Sequence, residues 1–521
     1  MTVREIVTIP MNYLDAFDRT VRCYPDTDAV RTDRGEQYTY AELDERSDRL
    51  ANVLTTLAPD AQLATLARNR SQTIEAMIAS QKRGLGNVQL PFMDSPGAIA
   101  GMIEPTTAKI LLFDDATAEK ALAVFDRTDL SIGISIDGAG TDRDDVYAYE
   151  SLMKDADTER PSADDNEHGV LFTSGTTSTS KAVPFDQEQL WYGSTQVIME
   201  MSIEPGDVAL VTTPWYHMVT TDAWVLPHLQ AGATLVIQES FDPPETLKLV
   251  DEHGVTGLLA VPTQLHSLVD AAKDGQYDLE TLSYIRTGGS IVTEQLSELV
   301  NEHLCDGLYN TYGLTEGGPN LTYARPAAQQ EKPGTIGKES FMWEIRVVNS
   351  AATADGFDPT DEVAAGETGE VIGRSPGMCR GYLDRPTATA NLLVDGWLRT
   401  GDVARIDEDG FLYIVDRVDN MIISGGENVY PQEVEEVLAT HESVEEVAVV
   451  GLDDDVWGQR IAAVVRTSDS ELDSDTLDEF CQNNDDLANF KRPREYTISD
   501  RALPRTDTGK IRREAVHNEF F

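Results

Sequence analysis

Apolar and polar positions alternate along this chain in distinct textures. Residues 13–57 read as helical segments, NYLDAFDRTVRCYP and YAELDERSDRLANVL, on either side of a short hairpin. From 62 to 136, short β-like runs (AKILLF, LSIGISI) alternate with helical ones such as SQTIEAMIASQKRG. That is the rhythm of a parallel sheet with crossover helices. It returns from 207 to 310, where DVALVTTP, ATLVIQ, VTGLLAVPT, LSYIRTGG and GLYNTYG read as strands. Segment 138–168 is polar and acidic and is expected to be a surface linker. From about 334, Gly-spaced short strands (IRVVN, GEVIGRS, GFLYIVDRV) predict a small β-rich subdomain. After DRVDNM, the segments PQEVEEVLAT, VEEVAVVGL, RIAAVVRT and LDEFCQ are expected to run helix, strand, helix, strand. The fold class is therefore α/β. A large N-terminal domain over 1–418 holds parallel sheets with helices plus a small β-barrel. A small α+β C-terminal domain covers 419–521, and the break falls near Asp419.

Composition changes this picture in one respect. The net charge is −50, the pI is near 4.3, and 11 Lys stand against 30 Arg. Disorder does not follow, because 40% of the residues are hydrophobic and apolar runs occur throughout. A carboxylate-rich, Lys-poor surface fits a halophilic protein in molar salt, where the Debye length is about 3 Å and like charges barely repel. Such a surface argues against nucleic acid and anionic membrane as partners. Four scattered cysteines, Cys23, Cys305, Cys379 and Cys481, lack metal-ligand spacing and read as free thiols of a reducing cytoplasm. The N-terminus shows no signal-peptide pattern, and no apolar run is long enough to span a membrane.

The stretch LFTSGTTSTSKAVP at 171–184 carries the first candidate chemistry. Small residues let backbone N–H groups approach an anion, hydroxyls donate to phosphate oxygens, and Lys181 adds a charge. It is not the Walker pattern. The residues alone leave open a phosphate cradle or a polar loop after a strand.

SGTTSTSKAVP, YGLTEGGPN at 312–320, GWLRTGD at 396–402, IVDRVDNMIISGGENVYP at 414–431 and PRTDTGKIRR at 504–513 together resemble the motifs of the AMP-forming acyl-CoA synthetases, the luciferase-like adenylate-forming superfamily. The similarity runs from about Tyr13 to Arg513 and is nearest to aryl-CoA ligases of the 4-chlorobenzoate–CoA ligase type. Three departures lie in the loop, where Ser178, Ser180 and Ala182 replace Gly, Pro and Gly.

The resemblance implies site residues and cofactors. ATP phosphates would meet Thr173, Ser174, Gly175, Thr176, Thr177 and Lys181. Tyr312 would stack on adenine with Gly313 beside it in the nucleotide site, Thr315 would touch the α-phosphate, and Glu316 would hold Mg²⁺. Asp402 would take both ribose hydroxyls, with Arg417 close by, although Asp416 stands where Gly is usual. Lys510 matches the adenylation lysine. Asp419 matches a hinge about which the mobile C-terminal domain rotates between half-reactions.

Coenzyme A would meet Arg83, Gly425, Gly426, Trp457, Phe490, Arg492 and Arg494; the run FKRPR at 490–494 is a basic exception on an acidic chain. The acyl pocket would comprise Tyr192, His217, Met218, Leu259, Gly288 and Gly289, with His217 at its mouth. Aromatic neighbours at 215, 216 and 224 favour a flat benzoate- or cinnamate-like acid over a medium-chain fatty acid. The implied reaction is acid plus MgATP to acyl-AMP, then transfer to CoA. A catalytically silent acyl-AMP binding protein is the alternative of another class. Expected partners are a small carboxylic acid and, at most, a second copy in a homodimer.

Overall fold

The computed structural model describes the chain except residues 1–11, 164–165, 174–179, 274, 291, 350–356, 426, 455, 485–486 and 506–510. It divides into two compact units, Met1–Ile345 with Gly373–Leu398, and Arg346–Ile372 with Arg399–Phe521.

Two sheets organise the first unit. One has nine strands in the order Lys338–Glu339, Thr322–Ala324, Leu308–Tyr312, Tyr284–Gly288, Gly257–Leu259, Val208–Val211, Thr234–Ile237, Asp28–Thr32 and Gln37–Thr39. Its middle is parallel and its edges are antiparallel. The other has seven, in the order Val146–Ala148, Ile132–Ser135, Ile110–Phe113, Leu63–Leu66, Asn87–Gln89, Glu167–Phe172 and Ala182–Asp186. It is parallel except for the last pair. Runs such as ILLF (110–113) and TLVI (234–237) are buried at every position, because helices cover both faces of a parallel sheet. The strands predicted from 207 to 310 all form.

The segment expected as a linker at 138–168 is partly structured. Val146–Ala148 adds an edge strand, and the short helix Tyr149–Met153 buries Tyr149 and Met153 against the sheet. The apolar residues hidden in this acidic stretch decided the outcome, not its mean polarity.

The β-rich segment forms a five-stranded sheet, Glu344–Val348, Thr368–Arg374, Trp397–Ile406 and Leu393–Val394 in order, with Leu412–Arg417 pairing to Trp397–Ile406.

In the second unit, Glu427–Val429, Ile422–Ser424, Gly458–Arg466 and Glu446–Asp454 line up in that order, and Glu495–Ser499 pairs with Gly458–Arg466. The third and fourth elements expected here are corrected. RIAAVVRT is a strand that zips against Glu446–Asp454, and LDEFCQ lies in the helix Ser474–Gln482. Ile461, Val464 and Val465 favour extended backbone. Asp473 accepts the Thr476 N–H at 2.8 Å and starts the helix.

Candidate functional site

The loop 174–179, which carries Ser174, Gly175, Thr176 and Thr177, lies outside the described residues. Its base is described. The Thr173 N–H donates to the Lys181 carbonyl at 3.1 Å, and the Lys181 N–H donates to Thr173 Oγ1 at 3.2 Å. These reciprocal bonds clamp the two ends of the loop together at the end of the seven-stranded sheet. Ala182, where the family has Gly, is buried in the second strand of that hairpin.

Lys181 then reaches a residue that no motif suggested. Its Nζ lies 4.9 Å from the ring centroid of Tyr382. The Tyr382 hydroxyl donates to Glu316 Oε1. Glu316 is buried in the single 3₁₀ turn Thr315–Gly317 that follows Leu308–Tyr312. Its carbonyl accepts from the Cys379 N–H at 2.9 Å. A Cβ on Gly318, at φ +78°, would meet the Gly377 carbonyl oxygen at 2.8 Å, so the two loops pack backbone to backbone. Thus Thr173, Lys181 and Glu316 come together through segment 377–383. Tyr312 and Gly313 precede the same turn, and Thr315 is half-buried at its start.

The pocket residues separate into two groups. Tyr192 lies on the helix Gln187–Met201, half-buried, its ring edge-on to Trp191. The next residue, Gly193, packs so close to Pro319 that a Cβ would lie 2.6 Å from the proline ring, which brings Tyr192 beside the Glu316 loop. Met218 is buried with Leu171, Val183 and Trp343. His217 is half-buried, 4.4 Å ring to ring from Tyr216, and its carbonyl accepts from Thr220 and Thr221. Leu259 sits in the core. Gly288 ends the strand Tyr284–Gly288, and Gly289 follows it at φ +78°.

Of the aromatic neighbours expected near the acyl pocket, Trp215, Tyr216 and Trp224 all belong to the buried core. Trp215 and Trp224 are buried and give their indole N–H groups to the carbonyls of Ala67 and Leu210, at 2.8 and 3.0 Å. They build core.

Around this segment the chain leaves the α-helical register, forming a π-helix at Thr221–Val225, a feature frequent at functional sites. It carries Asp222, whose carboxylate lies 3.0 Å from His168 Nε2, while Gln81 Nε2 lies 2.8 Å from Nδ1 of the same ring. All three are buried. Arg286 is also fully buried, donating to the Ala223 carbonyl and to Asn320 Oδ1. Desolvation pushes its pKa down from the ordinary guanidinium value. No spacing in the sequence links these residues.

Arg83, expected at the coenzyme, is bonded to the protein's own backbone. It is buried, and its guanidinium donates to the carbonyls of Ala58, Pro59 and Ala61 and to Thr55 Oγ1. Burial lowers its pKa to about 10. Its donors finish the end of the helix Tyr40–Leu57.

In the second unit, Asp402 and Arg417 face each other across paired strands, with Nη1 3.0 Å from Oδ1. The carboxylate is largely buried and the guanidinium half-exposed. Asp416 is buried and fully engaged. Oδ1 accepts from the Arg417 N–H at 2.6 Å and from Asn420 Nδ2 at 2.7 Å, and Oδ2 accepts from the Gln432 N–H at 2.9 Å. Asp419 is exposed in the 3₁₀ turn Val418–Asn420. Gly425 has φ +62° and lies under the exposed Trp457 ring, its N–H donating to the Trp457 carbonyl at 2.9 Å. Gly426 lies outside the described residues, as does Lys510.

The FKRPR run is less free than its charge suggests. Phe490 is exposed, but Lys491 pairs with Glu433 at 2.5 Å, Arg492 with Asp478, and Arg494 donates to the Asn489 carbonyl at 3.0 Å.

In the first unit Lys181 and the buried Glu316 meet through segment 377–383, and in the second an Asp402–Arg417 pair spans two paired strands. Residues 17–383 match the model of the AMP-binding enzyme family, and 433–510 match the AMP-binding enzyme C-terminal domain. The chain belongs to the AMP-binding enzyme family. It is 32% identical to a feruloyl-CoA synthase of Amycolatopsis over 508 residues, covering 96% of this chain and 98% of that one. It is 30% identical to an indoleacetate–CoA ligase of Aromatoleum aromaticum over 529 residues, covering 97% and 98%. Among solved structures, o-succinylbenzoate CoA synthetase of Bacillus subtilis, bound to its acyl-adenylate intermediate, is similar with a TM-score of 0.81 and 26% identity, over 96% of this chain and 97% of that one.

Proposed function

We propose that this chain is an AMP-forming acid–CoA ligase whose acid is aromatic, benzoate- or cinnamate-like. The observation that carries the reading is the convergence of Lys181 and Glu316 through segment 377–383, in a chain aligned end to end with named acid–CoA ligases. The aromatic class is supported by relatives that act on feruloyl, indoleacetate and succinylbenzoate groups. Relatives named long-chain-fatty-acid–CoA ligases, with the burial of Trp215 and Trp224, keep a medium-chain fatty acid as the second reading.

In the first half-reaction, the acid's carboxylate oxygen attacks the α-phosphorus of ATP, forming acyl-AMP and releasing pyrophosphate. Two anions must meet, so the barrier is mainly charge. Lys181, Thr173 and the hydroxyls and N–H groups of 174–177 would bind the phosphates, and Lys510 would join them at the reacting carboxylate. Glu316 suits Mg²⁺: it is a buried carboxylate whose Oε2 accepts no hydrogen bond among the described residues. The ion, when bound, adds positive charge that offsets the polyphosphate. Asp402 can accept from both ribose hydroxyls, with Arg417 holding the carboxylate in place.

In the second half-reaction, the CoA thiol attacks the acyl carbonyl, and AMP leaves. Gly425, Gly426, Trp457, Phe490, Arg492 and Arg494 would flank the coenzyme. Rotation about Asp419, as the break between 1–418 and 419–521, would exchange Lys510 for this face. The charge of −50 supports a protein working in molar salt, and the free cysteines support a reducing cytoplasm.

The test is to incubate the protein in molar KCl with MgATP, CoA and acids from benzoate and cinnamate through C4–C16 fatty acids. AMP, ADP and thioester are followed together. AMP with an aryl thioester is expected. ADP, or no turnover with any acid, overturns the reading.

A further inference from the structure

Lys181 and Glu316 carry opposite charges and face one site, yet among the described residues neither forms an ion pair. Tyr382 stands between them, with its ring 4.9 Å from Lys181 Nζ and its hydroxyl donating to Glu316 Oε1. A ring face attracts an ammonium without using any of its three N–H donors. A single hydroxyl occupies one carboxylate oxygen and leaves the other open. Among the described residues, both charges are therefore held in place with their capacity for ligand unspent.

The position of Tyr382 is fixed from both sides. Its own N–H donates to Thr389 Oγ1 at 2.9 Å. The next residue, Leu383, donates its N–H to the carbonyl of Ala182, the neighbour of Lys181, at 3.0 Å. Cys379, three residues before, donates to the carbonyl of Glu316 itself. One loop is thus bonded to both chain segments whose charges it separates.

We propose that Tyr382 is a positioning residue of the nucleotide site. It insulates Lys181 from Glu316, so that the ammonium stays available to phosphate and the carboxylate to the metal ion. The proposal rests on the ligase reading only for the identity of the nucleotide. Without the ring, Lys181 and Glu316 would collapse into a direct pair that competes with ligand for both. Without the hydroxyl alone, Lys181 would stay in place while Glu316 lost its orienting donor.

The experiment uses the full chain in molar KCl and calorimetric binding of α,β-methylene-ATP, which cannot donate its adenylyl group because the α–β bridge is not cleaved. Tyr382→Phe should weaken the Mg²⁺ complex of the analogue about tenfold, as loss of a carboxylate's orienting partner does. It should leave the metal-free analogue, titrated in EDTA, unchanged. Tyr382→Leu should weaken the metal-free analogue about tenfold as well, because Lys181 is then paired. Adding Glu316→Gln to Tyr382→Leu should restore metal-free binding to the level of Glu316→Gln alone. A loss caused by misfolding would not be restored in this way.

Transfer from synthetic acyl-AMP to CoA should persist in Tyr382→Phe while adenylation falls. The proposal is overturned if Tyr382→Phe binds the Mg²⁺ complex as the unmodified protein does. It is overturned equally if Tyr382→Leu stays weak after Glu316→Gln is added. Should Tyr382→Leu not fold, Tyr382→Phe decides. If the unmodified protein binds the analogue with this dependence but forms no thioester with any acid, the ligase reading fails and the role of Tyr382 stands.

Discussion

Asp416 offers the sharpest check on the local physics of the second unit. Its carboxylate joins the end of the strand Leu412–Arg417 to the 3₁₀ turn through Asn420, and to the first turn of the helix Pro431–Ala439 through the Gln432 N–H. The three accepted bonds span both sides of Asp419. Asp416→Ala removes a helix cap, typically worth about 1 kcal/mol. It also removes a bond from Asn420 to a charged acceptor, worth about 1.5–3 kcal/mol. Allowing for non-additivity, the loss is about 3 kcal/mol, which lowers the midpoint of a domain of this size by roughly 6–12 °C. Asp416→Asn keeps one acceptor oxygen without the charge and should lie between. The assay is thermal unfolding of the full chain in molar KCl by calorimetry, with transfer from synthetic acyl-AMP measured alongside. If the proposed rotation about Asp419 must break the Gln432 bond, Asp416→Ala should also speed that transfer step where rotation limits it. A midpoint within 1 °C of the unmodified protein, at the precision of such scans, would refute the reasoning about these bonds.

Four further outcomes are expected. His228 is fully buried between the Trp224 carbonyl and the Tyr284 hydroxyl, and burial lowers its pKa to about 4. The unfolded chain therefore binds this proton first. Stability is full above about pH 6.5 and falls towards pH 4 by about 3 kcal/mol more than in His228→Gln, measured by urea unfolding across that range. Arg83→Met orphans buried carbonyls and should cost about 2 kcal/mol on denaturant unfolding; an unchanged KM for CoA would bear out its structural role, and a large rise would restore the coenzyme contact. Lys510→Ala should abolish acyl-AMP formation yet keep thioester formation from synthetic acyl-AMP; equal loss of both steps would sink the division of labour. Activity and stability should require molar KCl, given the charge of −50; full activity in dilute buffer would contradict the reading of the surface.

How far the sequence reached can be argued from single elements. The apolar runs of parallel strands were legible because burial on both faces leaves no polar position within them, as at 110–113 and 234–237. RIAAVVRT was misassigned because a short apolar run fits either period; its partner Glu446–Asp454 and the turn at Gly458 settle it as a strand. Thr173, Lys181 and Glu316 could be named because each lies in a short contiguous motif that resembles the family's, SGTTSTSKAVP with the preceding Thr173 and YGLTEGGPN. Tyr382 could not, since it meets Glu316 from 66 residues away. Nor could the carbonyl partners of Arg83, which come from the end of the helix Tyr40–Leu57 and the residues after it.

The sequence by itself determined the alternation of strands and helices from 207 to 310, the acidic composition and the motifs that place the chain among adenylate-forming enzymes, because each depends on residues near one another along the chain. Only the tertiary structure decided which charges are free and which are spent. Packing sets Lys181 over Tyr382, buries Arg83 among carbonyls, ties Arg492 to Asp478 and draws Trp215 and Trp224 into the core. A side chain's role follows from the partners that desolvation forces on it, and those partners come from distant parts of the chain.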